Sequence, residues 1–306
     1  MCQKYNLRKT LYLDVLIVII TLLLLSCDCE RLTNSVSGEW VSDIPFIINH
    51  VNLELSHDNR IFESSNFLIF SDESSDEVKI EFARNAENAL EEILDAFDIK
   101  NAAELGIKNQ DTKITIYTNK NSSYIQLAFP YGFILYGEDS KVVANWPQEM
   151  RDRYYNEIKH EMVHVVQFLI GVLPNLTDRS KETDKWFNEG LAEYISDGFF
   201  IPIKTKSELD KWIRQNGEIC PISIHQWSDL PIIQSDVGQY YPMFGLAVKY
   251  LLDNNGLGKS LIDVREMLSA MSQNNSTFAE EFENYFGISL QEFEASFFDR
   301  INNYFN

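Results

Sequence analysis

The hydrophobic pattern changes period along this chain, and each change marks a different kind of segment. Residues 11–25 are almost wholly apolar, interrupted only by Asp14 and Thr21. The stretch 27–65 is mixed, with Ser, Asn and Asp at its start, and reads as a tether leading into one or two strands around 46–55. Short runs at 67–70 and 113–117, the second alternating apolar with polar, suit strands. Residues 132–136 and 141–144 read as a hairpin about Gly137-Glu-Asp-Ser140. The stretch 77–97 instead places Val78, Phe82, Ala86, Ala89, Ile93 and Phe97 at helical spacing.

From Pro147 onward the pattern is helical, with segments predicted at 150–169, 185–196, 205–215, 241–254, 259–272, 277–285 and 289–304. The last carries Leu290, Phe293, Phe297, Ile301 and Tyr304 on one face. Strands followed by a run of helices predict an α+β fold. A mixed-sheet lobe over 66–149 precedes a helical lobe over 150–306, with the helix at 150–169 between them. Together they are long enough to bury a large core.

The first 26 residues read as a leader. Lys4, Arg8 and Lys9 precede the apolar run, which ends at Leu24-Leu-Ser-Cys27. This ending resembles a bacterial lipobox, which implies cleavage before Cys27, lipidation of that cysteine and a lipid-anchored protein of the cell envelope. An uncleaved membrane anchor is the alternative, and it too puts the rest of the chain outside the cytoplasm. Without the leader the net charge of −20 becomes about −22. So acidic a surface disfavours nucleic acid and anionic lipid, and anchoring must rely on acyl chains. Of the four cysteines, Cys2 is in the leader, and Cys29 and Cys220 remain as a possible pair.

One helix carries the candidate chemistry. His160-Glu161-Met-Val-His164 puts two of the chain's five histidines one turn apart, so both imidazoles can face a single metal ion. Glu161 lies where a carboxylate can take a proton from a metal-activated water. Pro147 stands near the helix start, Gly171 and Pro174 close it, and Val163, Val166 and Leu169 form a stripe for burial. A catalytic zinc needs three protein ligands and one open position, so a third ligand is expected downstream.

Downstream lies Trp186-Phe-Asn-Glu-Gly-Leu-Ala-Glu-Tyr194. Together with HEMVH, this segment resembles the gluzincin metallopeptidases, which include thermolysin-like enzymes and certain aminopeptidases. The resemblance covers about 66–306 and implies a thermolysin-like catalytic unit holding one Zn²⁺. It implies Glu189 as the third ligand, after a gap from His164 longer than better-known members use. Glu193 is the rival ligand, and the resemblance gives it an outer role holding a metal-bound histidine. The family also places a tyrosine at the start of a downstream helix as donor to the oxyanion; its pattern, counted back nine from Tyr250, implies Tyr241, with Tyr240 as the substitute. His225 reads as a structural or surface residue.

The family also pairs substrate with a sheet edge, for which 132–143 is the candidate. The implied activity is hydrolysis of peptide or protein substrates. Endopeptidase action is preferred, since no segment of the Gly-x-Met-Glu-Asn kind is present to grip a substrate amine. Two alternatives stay open: a binding lipoprotein without turnover, and a zinc hydrolase of a non-peptide amide or ester.

Overall fold

The computed structural model describes residues 62–71, 76–108, 112–119, 127–129, 132–136, 147–171, 185–198, 203–216, 240–274 and 276–305. Among these residues there are five strands: β1 (Phe62–Glu63), β2 (Phe67–Ser71), β3 (Ile114–Asn119), β4 (Leu127–Phe129) and β5 (Gly132–Tyr136). They form one mixed sheet in the order β1-β2-β3-β5-β4. The three inner strands are parallel, and β1 and β4 pair antiparallel at the edges. Ile69 lies opposite Ile116, and Ile116 opposite Phe133. Side chains alternate along a strand, so this register gathers Phe67, Ile69, Ile114, Ile116, Phe133 and Leu135 into one buried face.

The expected hairpin can be followed only along its first arm, which is β5. Its second arm, 141–144, lies outside the described residues, and β5 pairs with β3 on one side and β4 on the other. Over Gly132–Ile134 both rows of its backbone hydrogen-bonding groups are therefore engaged. Residues 132–134 offer no free edge to a peptide; among the described residues the sheet ends on that side at β4, and 137–143 lie outside them. The expected strands at 46–55 lie outside the described residues, as do Cys27, Cys29, Cys220, His225 and the leader.

Helix α1 (Asp76–Ala96) crosses between the parallel strands β2 and β3 and packs on the sheet through Phe82, Ala86, Ala89 and Ile93. Helix α2 (Gln148–Ile170) carries the HEMVH turn and packs against both α1 and the sheet. Glu92 of α1 fastens the two helices, accepting from Lys159 Nζ at 2.6 Å and from Tyr155 Oη at 2.9 Å. Val163 and Val166 are fully buried and Leu169 partly so, as the stripe predicts. At its end Gly171 adopts φ +126°, and its N–H bonds back to Phe168 O at 3.1 Å.

The remaining helices are α3 (Lys185–Ile195), α4 (Lys206–Asn216), α5 (Tyr241–Leu252), α6 (Leu261–Asn274), α7 (Phe278–Phe286) and α8 (Leu290–Arg300), followed by a 3₁₀ turn at Ile301–Asn303. Thr277 with Glu280 and Ser289 with Glu292 form capping boxes at the starts of α7 and α8. Arg265 of α6 donates to the carbonyls of Phe97 and Asp98 at 2.8 and 2.6 Å, closing the C-terminal end of α1 and tying the helical run to the sheet lobe. The fold is thus α+β, mostly helical with a small mixed sheet. Among the described residues no helix is long and apolar enough to cross a membrane.

Helices α3 and α5 cross closely. A Cβ on Gly190 would sit 2.5 Å from Phe244 O and 2.9 Å from Val248 Cγ2. Glycine is what lets the two backbones approach here. That contact brings the N-terminal end of α5 beside the NEGLAEY segment.

Candidate metal centre

Three helices converge on one point. From α2 come His160, Glu161 and His164; from α3, Glu189 and Glu193; from α5, Tyr241. Within α2 the i, i+4 spacing sets the two rings together, with centroids 5.0 Å apart and planes 81° from parallel. Across the helix interface, Glu189 Oε2 lies 3.5 Å from His160 Nε2 and 3.4 Å from His164 Nε2. One ligand atom from each of the three residues falls within 4.8 Å of the others.

Ligands about 2.1 Å from a tetrahedral Zn²⁺ stand about 3.4 Å apart. The two edges from Glu189 match that spacing, and two imidazoles with one carboxylate form an ordinary catalytic zinc donor set. The residues therefore fit the ion. His160 is 3% exposed, whereas the side chains of His164 and Glu189 are 15% and 18% exposed. Access for a small ligand is on the side of His164 and Glu189.

Glu193 reaches the outer nitrogen of His160, with Oε1 3.0 Å from Nδ1. This leaves Nε2 of the ring aimed at Glu189, as a metal ligand oriented by a carboxylate requires. Geometry thus assigns the two acids of NEGLAEY to opposite sides of one imidazole. Gly245 of α5 supports the arrangement, because a Cβ there would lie 3.0 Å from Glu193 Cβ.

Electrostatics follow from crowding acids and imidazoles in a buried space. Burial disfavours a charged His160, but hydrogen bonds to Glu189 and Glu193 and the nearby Glu161 outweigh it, raising its pKa to about 10. Burial likewise opposes charge on His164, yet its bond to Glu189 raises the pKa there too. Glu189 answers in the other direction: despite burial, the two rings hold its carboxyl well below the usual range. Such a field attracts a cation as it attracts protons.

Burial pushes the Glu161 pKa up, helped by the neighbouring Glu189 and opposed by both histidines. Its carboxylate makes no hydrogen bond among the described residues. One turn earlier on α2, Glu157 is pushed up to about 7 by burial and then by the charge of Glu161.

Tyr241 lies over the site, its ring stacked on His160 at 6.3 Å and 14°. Burial raises its pKa first, and the charge of Glu189 and a hydrogen bond to it add to the effect. The hydroxyl is therefore held as a proton donor. Tyr240, the alternative, occupies the N-cap position of α5 and meets Trp212 edge-on at 6.5 Å.

Sequence reasoning missed two features here. Gln167 lies one turn beyond His164 and its Oε1 is 3.0 Å from His164 Nδ1. The i, i+3 spacing was a readable signal, but which ring nitrogen faces the amide is set by the fold. The close approach at Gly190 and Gly245 had no local signal beyond the glycines themselves. Scans against family models and against curated proteins find no match to the chain.

Proposed function

We propose that the protein is a zinc-dependent metallopeptidase of the gluzincin type, built on a thermolysin-like unit. In this reading it is lipid-anchored through Cys27 at the outer side of a membrane and cleaves peptide or protein substrates. One observation carries the proposal: Glu189 stands at tetrahedral ligand spacing from both His160 and His164, with all three ligand atoms within 4.8 Å of one another beside the buried Glu161. Zn²⁺ held by these three groups would supply the Lewis acidity that acidifies a water and polarises a carbonyl.

The chain's own residues do the rest. Glu161, buried and free of hydrogen bonds among the described residues, takes a proton from the attacking water and returns it to the leaving nitrogen. Its raised pKa suits a group that must both accept and give up that proton. Tyr241, kept protonated, donates to the oxyanion that forms as the carbonyl carbon becomes tetrahedral. Glu193 holds His160 in the tautomer whose Nε2 faces the ligand cluster.

Changing the base and a ligand separately tests this assignment. Glu161→Gln should keep one zinc per chain and lower cleavage of a peptide library by about 10²–10⁴-fold. His164→Ala should lose the metal. Stoichiometric zinc in His164→Ala, by elemental analysis, would sink the ligand assignment. A zinc-loaded wild type that cleaves no peptide would point to a binding role or to another carbonyl substrate.

A further inference from the structure

The two histidines of the cluster are held from behind in different ways. His160 turns Nδ1 to the carboxylate of Glu193, and His164 turns Nδ1 to the amide oxygen of Gln167 at 3.0 Å. Gln167 is 3% exposed. Its Nε2 is buried and has no hydrogen-bond partner among the described residues. A buried donor left without a partner is costly, and an apolar side chain of similar size would avoid the cost. Packing alone therefore does not account for an amide at this position.

We propose that Gln167 is a positioning residue for His164. Its side-chain carbonyl accepts the Nδ1 proton and so fixes the tautomer whose Nε2 lone pair faces Glu189 and His160. The proposal rests on the metal-centre reading above. An oxygen is required at Nδ1, because an amide NH₂ facing that nitrogen would force the proton onto Nε2 and remove the lone pair a metal ligand needs. The choice of amide over acid also follows from charge. Glu161, Glu189 and Glu193 already place three carboxylates around two imidazoles. A fourth buried carboxylate would add like-charge repulsion. An amide supplies the acceptor without the charge.

Gln167→Met in the full-length protein removes the acceptor at similar volume, and Gln167→Glu restores one. Zinc affinity is read by competition with a chromophoric chelator, and folding by thermal melting in excess EDTA. With an unchanged EDTA melt, Gln167→Met should bind zinc about 10–100-fold more weakly, and Gln167→Glu should stay within a few-fold of wild type. Wild-type affinity in Gln167→Met, or equal weakness in both variants, would overturn the proposal and leave the metal centre standing. If His164→Ala binds zinc as wild type does, the metal-centre reading falls and takes the role of Gln167 with it. Should Gln167→Met fail to fold, the ¹⁵N spectrum of zinc-loaded wild type decides. His164 should show a hydrogen-bonded, slowly exchanging Nδ1–H, and a rapidly exchanging one would overturn the proposal.

Discussion

Helix α3 belongs to two regions built on opposite rules. Its first turn sinks Trp186 and Phe187 into an aromatic cluster with α7 and α8. There Trp186 stacks on Phe293 at 5.3 Å, Phe187 meets Phe278 at 5.1 Å, and Phe282 meets Phe286 edge-on at 4.7 Å. The residues that follow, Glu189 and Glu193, stand among buried imidazoles and another acid. One region buries mainly apolar surface. The other gathers groups that each lose hydration and repel a neighbour. The contrast teaches that the aromatic end of α3 holds the helix against the strain of its acidic end. Local rules of stability are broken at the site and upheld beside it.

The largest expected effect breaks the stable side. Phe293 touches Trp186, Phe282, Phe297 and Tyr250. Phe293→Ala should cost about 3–5 kcal/mol in urea unfolding of the metal-free protein. A loss under about 1 kcal/mol would mean the cluster does not anchor α3.

A smaller effect separates the two regions. In Gly245→Ala the new methyl meets Glu193 at 3.0 Å, while alanine improves the propensity of α5 by about 1 kcal/mol. Stability should therefore hold within about 1 kcal/mol, whereas zinc affinity drops about tenfold as Glu193 leaves His160. Unchanged affinity in a chelator competition would show that Glu193 has room to spare.

The smallest effect concerns the rim of the site. Glu157 has a folded pKa of about 7 against an ordinary 4.5, so the folded chain holds its proton more tightly than the unfolded chain does. Stability from this group therefore falls as pH rises from about 4.5 to 7. Glu157→Gln should leave metal-free stability little changed at pH 4 and raise it by about 1 kcal/mol at pH 8, after allowing for solvent screening. Zinc should shrink that gain, because two added positive charges favour the ionised carboxylate. A gain of equal size at both pH values would show that the benefit has nothing to do with ionisation.

Much of the fold could be read from periodicity because the elements are long and one-sided. The helices from α1 to α7 begin and end within about two residues of where their stripes place them, and α8 gives way to a 3₁₀ turn at Ile301. The strands β1 and β4 went unseen, since two or three residues hold too little alternation to register a period. The free edge expected within 132–143 is closed over Gly132–Ile134 for another reason: pairing partners are decided by the whole sheet, and β4 occupies that stretch.

The site divides along the same line. His160, Glu161 and His164 were legible together because a helix repeats every 3.6 residues and needs no partner to align them. Glu189 was reached only through resemblance, as nothing local says that α3 must face α2. Between Tyr240 and Tyr241 the family pattern counted back from Tyr250 favoured Tyr241, and the first turn of α5 sets Tyr240 against Trp212 and Tyr241 over His160.

By itself, then, the sequence determined the helices, the strands long enough to alternate, and the spacing of groups within each turn, all consequences of short-range backbone geometry. Tertiary structure alone decided which nitrogen of each histidine faces inward, which acid of α3 meets it, and how near α5 may come. Those are distances between elements, and only the packing of side chains, down to a missing methyl at Gly190 and Gly245, fixes them.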